Sequence, residues 1–163
     1  MPIASGPVIQ LAWVTDDIAA TERLLHEQFG SGPWTRLDDV RFAPETTTLR
    51  GGPTEFLAHI SLAYAGDLQL ELIQPVSGAT IHQEFLDAHG PGLHHLCFGV
   101  DDVDAACAEA EAAGVPVLMR GSMADGEIDF AYVDGSASGA PYVELVRIGP
   151  QIQAFYDAIR AGS

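Results

Sequence analysis

An internal repeat constrains the fold of this chain more than any other feature of its sequence. Residues 10–25 read QLAWVTDDIAATERLL, and residues 95–110 read HLCFGVDDVDAACAEA. Aligned without gaps, both segments run from a polar residue through an apolar stretch into an Asp-Asp pair and then a helix-forming run. Because an Asp at the start of a helix accepts hydrogen bonds from its free amides, each segment is predicted to be a strand, a capped turn and a helix.

The two halves of the chain also end alike. The sequences LQLELIQP, ending at Pro75, and PYVELVRIGP, ending at Pro150, both place Glu-Leu inside an apolar run that is typical of a β-strand. Between the start and the end of each half, two further strands are predicted, at about residues 36–43 and 54–65, and at about residues 115–120 and 127–133. Each half therefore has the order βαβββ.

The chain is thus predicted to be one α+β domain of two βαβββ modules. Module one covers about residues 7–75 and module two about residues 93–149, with a linker at about 76–92 and a C-terminal helix at about 150–161. One module alone would leave a sheet face open to water, and pairing the two modules would cover it.

The alternation of side chains in the repeated strands predicts a cleft. Successive residues of a strand point to opposite faces. In both copies the face away from the helix begins with a polar residue, Gln10 or His95, and continues with small residues such as Ala12 and Cys97. Small residues leave room and the polar group points into it, so this face is predicted to line a concave cleft.

The last strands of both modules place a carboxylate on the same face. A carboxylate in the middle of an apolar strand is costly unless it is paired or bound to a metal. Either Glu71 or Glu144 alone would be interpreted as a surface charge, but the two occupy equivalent places in the repeat. With Gln10 and His95 they form a mixed set of oxygen and nitrogen ligands, which suits one divalent ion such as Zn, Ni, Co, Mn or Fe.

Composition excludes several classes of function. The net charge is -16, with seven arginines and no lysine, which argues against a nucleic-acid partner and excludes Schiff-base chemistry. No signal peptide and no apolar run of about 20 residues is recognised, so no membrane partner and a cytoplasmic location are expected. Cys97 and Cys107 lack metal-type spacing and are expected to stay reduced.

Three segments carry a resemblance to a known family. The segment GPGLHHLCFGVDDVDAACAEAEAAGVPV resembles the start of the second half of methylmalonyl-CoA epimerases, LQLELIQP resembles the end of their first half, and FGSGPW resembles a glyoxalase-like subgroup. Over about residues 8–148 the chain resembles the vicinal oxygen chelate superfamily, which includes glyoxalase I, methylmalonyl-CoA epimerase and extradiol dioxygenases. The resemblance implies a curved mixed sheet around a metal cleft, and a small-molecule substrate.

The resemblance also bears on the ligand set. In these families the second His of the His94-His95 pair binds the metal, in agreement with the alternation of the strand. The set Gln10, Glu71, His95 and Glu144 matches that of glyoxalase I, whereas epimerases usually have His at position 10 and often Gln at position 71. Extradiol dioxygenases need His at position 10, which disfavours that class.

The function implied by the resemblance is that of a metal-dependent isomerase or epimerase that abstracts a proton next to a carbonyl or acyl thioester. Glu144 would be the base, and Glu55 falls where epimerases keep a second base, although a solvated charge at the start of a strand is an alternative for Glu55. A glyoxalase-type lyase acting on a glutathione adduct or another small carbonyl compound, and a non-catalytic small-molecule binding protein, remain as alternatives.

Two further expectations concern partners. The excess of acidic residues disfavours a CoA substrate, because CoA carries phosphate groups. The only plausible anchors for those phosphates are Arg36, Arg41, Arg50 and Arg120. Members of the family commonly pair, so a homodimer is expected, with Trp34, Phe56 and Tyr156 as candidate apolar contacts.

Overall fold

The computed structural model describes residues 1–162, which form one ten-stranded mixed sheet and four α-helices. The strands are β1 (Val8–Val14), β2 (Thr35–Phe42), β3 (Thr47–Leu49), β4 (Gly52–Pro53), β5 (Phe56–Ala65), β6 (Leu68–Gly78), β7 (Gly92–Gly99), β8 (Val117–Met123), β9 (Ile128–Asp134) and β10 (Tyr142–Ile148). The helices are α1 (Ile18–Phe29), α2 (Ile81–His89), α3 (Val103–Ala112) and α4 (Pro150–Ala161). The predicted α+β class with two βαβββ modules is confirmed.

The repeated Asp-Asp pairs act as predicted at the starts of α1 and α3. The Asp17 carboxylate accepts a hydrogen bond from the amide of Ala20 at 2.9 Å, and the Asp102 carboxylate accepts one from the amide of Ala105 at 3.0 Å. In each helix the second Asp of the pair is therefore the cap, and it satisfies an amide that has no partner within the helix.

The order of strands shows how the modules are joined. Across the sheet the order is β2-β5-β6-β1-β7-β10-β9-β8-β3-β4. Module one supplies the first four strands, and module two supplies the next four in mirrored order, so that β1 corresponds to β7 and β6 to β10. An approximate two-fold axis therefore passes between the antiparallel strands β1 and β7. Because β6 is parallel to β1 and β10 is parallel to β7, the strands that carry the four predicted ligands lie side by side at the centre.

The short strands β3 and β4 were not predicted, and β3 reveals the curvature of the sheet. β3 follows β2 after only residues 43–46, yet it pairs with β8 at the far end of the strand order. The connection from Phe42 to Thr47 can span no more than about 18 Å. The sheet must therefore curl until its two ends approach each other, which makes its inner face concave.

The two faces of the sheet carry the side chains that alternation predicts. Phe98 and Leu145 pack on the outer face against α3, whereas Cys97 and Val146 belong to the apolar cluster of the inner face. Among residues 1–162, no helix is long and apolar enough to cross a membrane.

Candidate metal site and its cavity

The four predicted ligands meet on the inner face at the centre of the sheet. His95 Nε2 lies 3.2 Å from Glu144 Oε2, 3.6 Å from Glu71 Oε2 and 3.3 Å from Gln10 Oε1. The candidate ligand atoms of Glu71, His95 and Glu144 all lie within 4.8 Å of one another. One nitrogen and three oxygens thus surround a common point, which is a donor set suited to a divalent ion.

Hydrogen bonds behind Gln10 fix the orientation of its amide. Gln10 Nε2 donates to Gln69 Oε1 at 2.6 Å, and Gln69 Nε2 donates to the Tyr64 hydroxyl at 3.0 Å. Because the Gln10 nitrogen is engaged in this chain, its oxygen is the atom that faces His95. Gln69 precedes Glu71 by two residues and shares its face, but its role as an orienting residue was not predicted.

His95 is held from behind by a second imidazole. His95 Nδ1 lies 2.9 Å from His94 Nδ1, and both residues are fully buried. The His94 ring stacks between His82 and Tyr142, with ring centroids 4.6 Å and 4.4 Å away. Burial, with the neighbouring imidazoles His82 and His95, lowers the pKa of His94, so neutral His94 Nδ1 can accept a hydrogen bond from His95 Nδ1–H and leave His95 Nε2 free to bind.

The electrostatics of the cluster call for positive charge at this point. Burial alone would lower the pKa of His95, but Glu144 and Glu71, through hydrogen bonding and charge, outweigh burial and raise it to about 9. Burial raises the pKa of Glu71, Glu144 adds to the rise, and His95 opposes it. Two carboxylates at close range in a buried site need a cation between them, which protonated His95 or a bound metal ion would supply.

A largely apolar cavity of about 320 Å³ lies between the curled sheet and α4, and Gln10, Glu71 and Glu144 line it. Tyr132 and Tyr156 line the cavity, and the charges of Glu71 and Glu144 act on their hydroxyl groups. Burial raises the pKa of both hydroxyls, and the charges of Glu144 and Glu71 raise it further, so both phenols stay neutral hydrogen-bond donors. Tyr132 could have been found from sequence, since it pairs directly with Glu144 across β9 and β10, whereas no signal placed Tyr156.

Comparison with known proteins identifies the family. The model of the Glyoxalase/Bleomycin resistance protein/Dioxygenase superfamily matches residues 9–132, which is most of the chain. The chain belongs to this superfamily. The resemblance noted in the sequence is thereby confirmed at the level of the family. A comparison with curated protein sequences gives no match.

Solved structures share the superfamily fold. Methylmalonyl-CoA epimerase from Mycobacterium tuberculosis is 18% identical, with a TM-score of 0.64 and 94% of each chain covered. A variant of the Streptomyces coelicolor methylmalonyl-CoA epimerase, in complex with 2-nitronate-propionyl-CoA, is 20% identical, with a TM-score of 0.61 over 88% of this chain and 95% of that one. A mutant of 4-hydroxymandelate synthase from Streptomyces coelicolor is 19% identical, with a TM-score of 0.57, and matches 91% of this chain and 39% of its own. At these identities the likeness shows the fold alone.

In this member of the superfamily, the structure does not bring Glu55 to the four predicted ligands. Its side chain is 52% exposed and forms an ion pair with Arg41. Leu62 pairs with Glu71 across β5 and β6, so the even-numbered residues of β5 face the cavity, beginning with Phe56. The expectation that Glu55 faces Glu144 is therefore corrected, because Glu55 precedes β5 and its carboxylate turns to Arg41 outside the cavity.

His82 is a polar group in the cavity wall that was not predicted. The residue is 3% exposed, its Nδ1 lies 2.8 Å from Thr80 Oγ1, and its Nε2 has no hydrogen-bond partner among the described residues. Burial, with the charge of His95, lowers the pKa of His82 to about 3, so the ring is neutral. His82 is carried by α2, inside the segment interpreted from sequence as a linker.

Two of the three candidate dimer contacts line the cavity of this superfamily member. Phe56 is 1% exposed and lines the cavity, so it is not available to a second copy, and the half-buried Tyr156 lines the cavity as well. The homodimer itself stays a prediction, which the molar mass from light scattering would test.

Proposed function

We propose that this protein is a metal-dependent isomerase or epimerase that moves a proton at the carbon next to a carbonyl or acyl thioester. The observation that carries the proposal is the meeting of two carboxylates, an imidazole and an amide oxygen at one point beside an apolar cavity, which Gln10, Glu71 and Glu144 line. Gln10, Glu71, His95 and Glu144 would hold one divalent ion (Zn, Ni, Co, Mn or Fe). When bound there, such an ion acts as a Lewis acid toward a carbonyl oxygen.

Glu144 is proposed as the base. Its carboxylate lines the cavity and lies beside the buried Tyr132 hydroxyl, in a place where the apolar wall limits access of water. A carboxylate in such a site can take a proton from a carbon acid that is held against it.

Glu71 is proposed as the group that returns the proton, in place of Glu55. It reaches the cluster from the other module and is related to Glu144 by the approximate two-fold axis. The two carboxylates thus approach the cavity from different sides, as an epimerase needs.

A glyoxalase-type lyase is the second candidate. It is favoured by the identity of the four site residues, which match the set that the resemblance gives to glyoxalase I. A lyase shares the abstraction of the proton but forms or breaks a bond to the substrate. Analysis of the product therefore separates a lyase from an isomerase, while solvent deuterium incorporation reports the step that both share.

The proposal is tested with the purified protein and a screen of carbonyl compounds and acyl thioesters in deuterated water. Elemental analysis is expected to find one divalent ion per chain. Glu144→Gln should reduce deuterium incorporation by about 10²–10⁴-fold. The matched control is Glu55→Gln, which removes an exposed carboxylate outside the cavity and should exchange at the rate of the unaltered protein. An undiminished rate in Glu144→Gln, or a chain that retains no metal, would refute the proposal.

A further inference from the structure

Positive charge is nearly absent from the wall of the cavity. Among the described residues, Arg160 is the one arginine that lines it, and its guanidinium is held by Asp67 at 3.4 Å and by Asp157 at 3.0 Å. Asp67 lines the cavity as well, so the local charge at this end of the cavity is not positive.

The arginines that the sequence offered as phosphate anchors lie outside the cavity wall. Each is engaged by a carboxylate: Arg36 with Glu22, Arg41 with Glu55, Arg50 with Glu84, and Arg120 with Asp104. A CoA ester would carry its phosphates toward a protein of net charge -16 without finding a free cation at the cavity.

The remaining wall is suited to a hydrocarbon body. Phe42 stacks on Phe56 with ring centroids 4.1 Å apart, and Phe130 meets Phe42 edge-on at 5.9 Å. Ile60 and Leu62 continue this surface along β5. Aromatic and aliphatic side chains of this kind bind a ligand by removing its apolar surface from water.

From these observations we infer that the cavity takes an uncharged, largely apolar carbonyl compound or thioester, and discriminates against carriers with phosphate groups such as CoA. This inference rests on the proposed function, because it names the substrate class of the same site. The ligand's carbonyl would lie at the four-residue cluster, and its hydrocarbon body would lie against the phenylalanines.

The test compares one acyl group on two carriers. The 2-phenylpropanoyl group has an acidic carbon next to its carbonyl, and it is offered to the metal-loaded protein as the uncharged N-acetylcysteamine thioester and as the CoA thioester. Dissociation constants are measured by calorimetry at low and high salt. The uncharged thioester should bind at least about 10-fold more tightly at low salt, and the difference should shrink at high salt because screening weakens the repulsion of the phosphates.

A pair of variants reports on the origin of the preference. Asp67→Asn removes a carboxylate from the cavity and leaves Asp157 as the partner of Arg160, so the local charge becomes less negative and binding of the CoA thioester should strengthen several-fold. Asp16→Asn makes the same change of net charge at an exposed position outside the cavity and should leave both constants unchanged.

The inference is overturned if the CoA thioester binds as tightly as the uncharged one, if the uncharged one does not bind, or if the two Asn variants behave alike. Failure of the proposed function is seen separately. A protein that prefers the uncharged thioester but exchanges no deuterium into it would keep the inferred ligand class and lose the proposed reaction.

Discussion

The charge on His95 should make the stability of the chelator-treated protein fall as the pH rises from 6.5 to 8.5. Glu144 and Glu71 overcome the effect of burial and raise the pKa of His95 from 6.5 to about 9. The folded protein therefore keeps a proton that the unfolded chain releases above pH 6.5. The stabilisation from this proton is complete below pH 6.5 and is lost as the pH approaches 9.

The size of the effect follows from the shift. The full slope is about 1.4 kcal/mol per pH unit but is reduced near each pKa, so the His95 proton alone should lower the free energy of unfolding by about 2 kcal/mol between pH 6.5 and 8.5. His82 and His94, whose pKa values burial lowers, offset a few tenths of a kcal/mol each as the unfolded chain loses its last imidazole protons, so the net fall should be about 1–2 kcal/mol. The window ends at 8.5 because burial also raises the pKa of Cys97, and ionisation of cysteine in the unfolded chain adds a second loss beyond that point.

The assay is urea unfolding at pH 6.5, 7.5 and 8.5 with a chelator, repeated with saturating Zn²⁺. Metal binding should abolish the fall, because Nε2 then binds the ion instead of a proton. His95→Gln should also abolish the fall, whereas His26→Gln, which removes an exposed imidazole on α1, should keep it. A free energy of unfolding that stays constant or rises across this window in the chelated protein would refute the reasoning, as would an equal slope in His95→Gln.

Three further outcomes are expected from substitutions. His95→Ala should abolish stoichiometric metal binding, whereas His94→Ala, which removes only the group behind the ligand, should keep one ion per chain with affinity about 10–100-fold weaker, as measured by competition with a chromogenic chelator. His82→Leu should lower the pH midpoint of acid unfolding, because the folded state holds the pKa of His82 at about 3 and the unfolded chain gains a proton as the pH falls below 6.5. Gly78→Ala should lower the free energy of unfolding by more than about 1 kcal/mol in urea titrations, since φ is +90° there and a Cβ would lie 2.1 Å from a carbonyl oxygen of the neighbouring chain segment.

Alternation within strands explains why the meeting of the four candidate ligands could be predicted from the sequence. Gln10 and His95 occupy equivalent places in β1 and β7, and Glu71 and Glu144 occupy equivalent places in β6 and β10. A period of two assigns each of them to a face without knowledge of the rest of the fold. Their meeting in one place then follows from the repeat, because both modules must turn the same face inward when they pair.

Features that depend on register or on distant packing were not accessible in this way. The resemblance that suggested Glu55 as a second base could not show that this residue precedes β5 and pairs with Arg41. The faces of β5 itself follow from the pairing of Leu62 with Glu71, a register that the sequence does not show. Strands β3 and β4 are too short to show a period. The pattern of α4 indicates an amphipathic helix, but nothing in the sequence shows which surface it covers, so Tyr156 could not be placed over the site.

The position of the seam between β1 and β7 determines how an ion would act on the whole chain. Gln10 and Glu71 come from one side of this seam, and His95 and Glu144 come from the other. A fragment cut at α2 would keep only two of the four donors, too few to hold an ion firmly. An ion that binds all four donors therefore also stabilises the association of the two halves. Two separately produced fragments should associate more tightly when the ion is added.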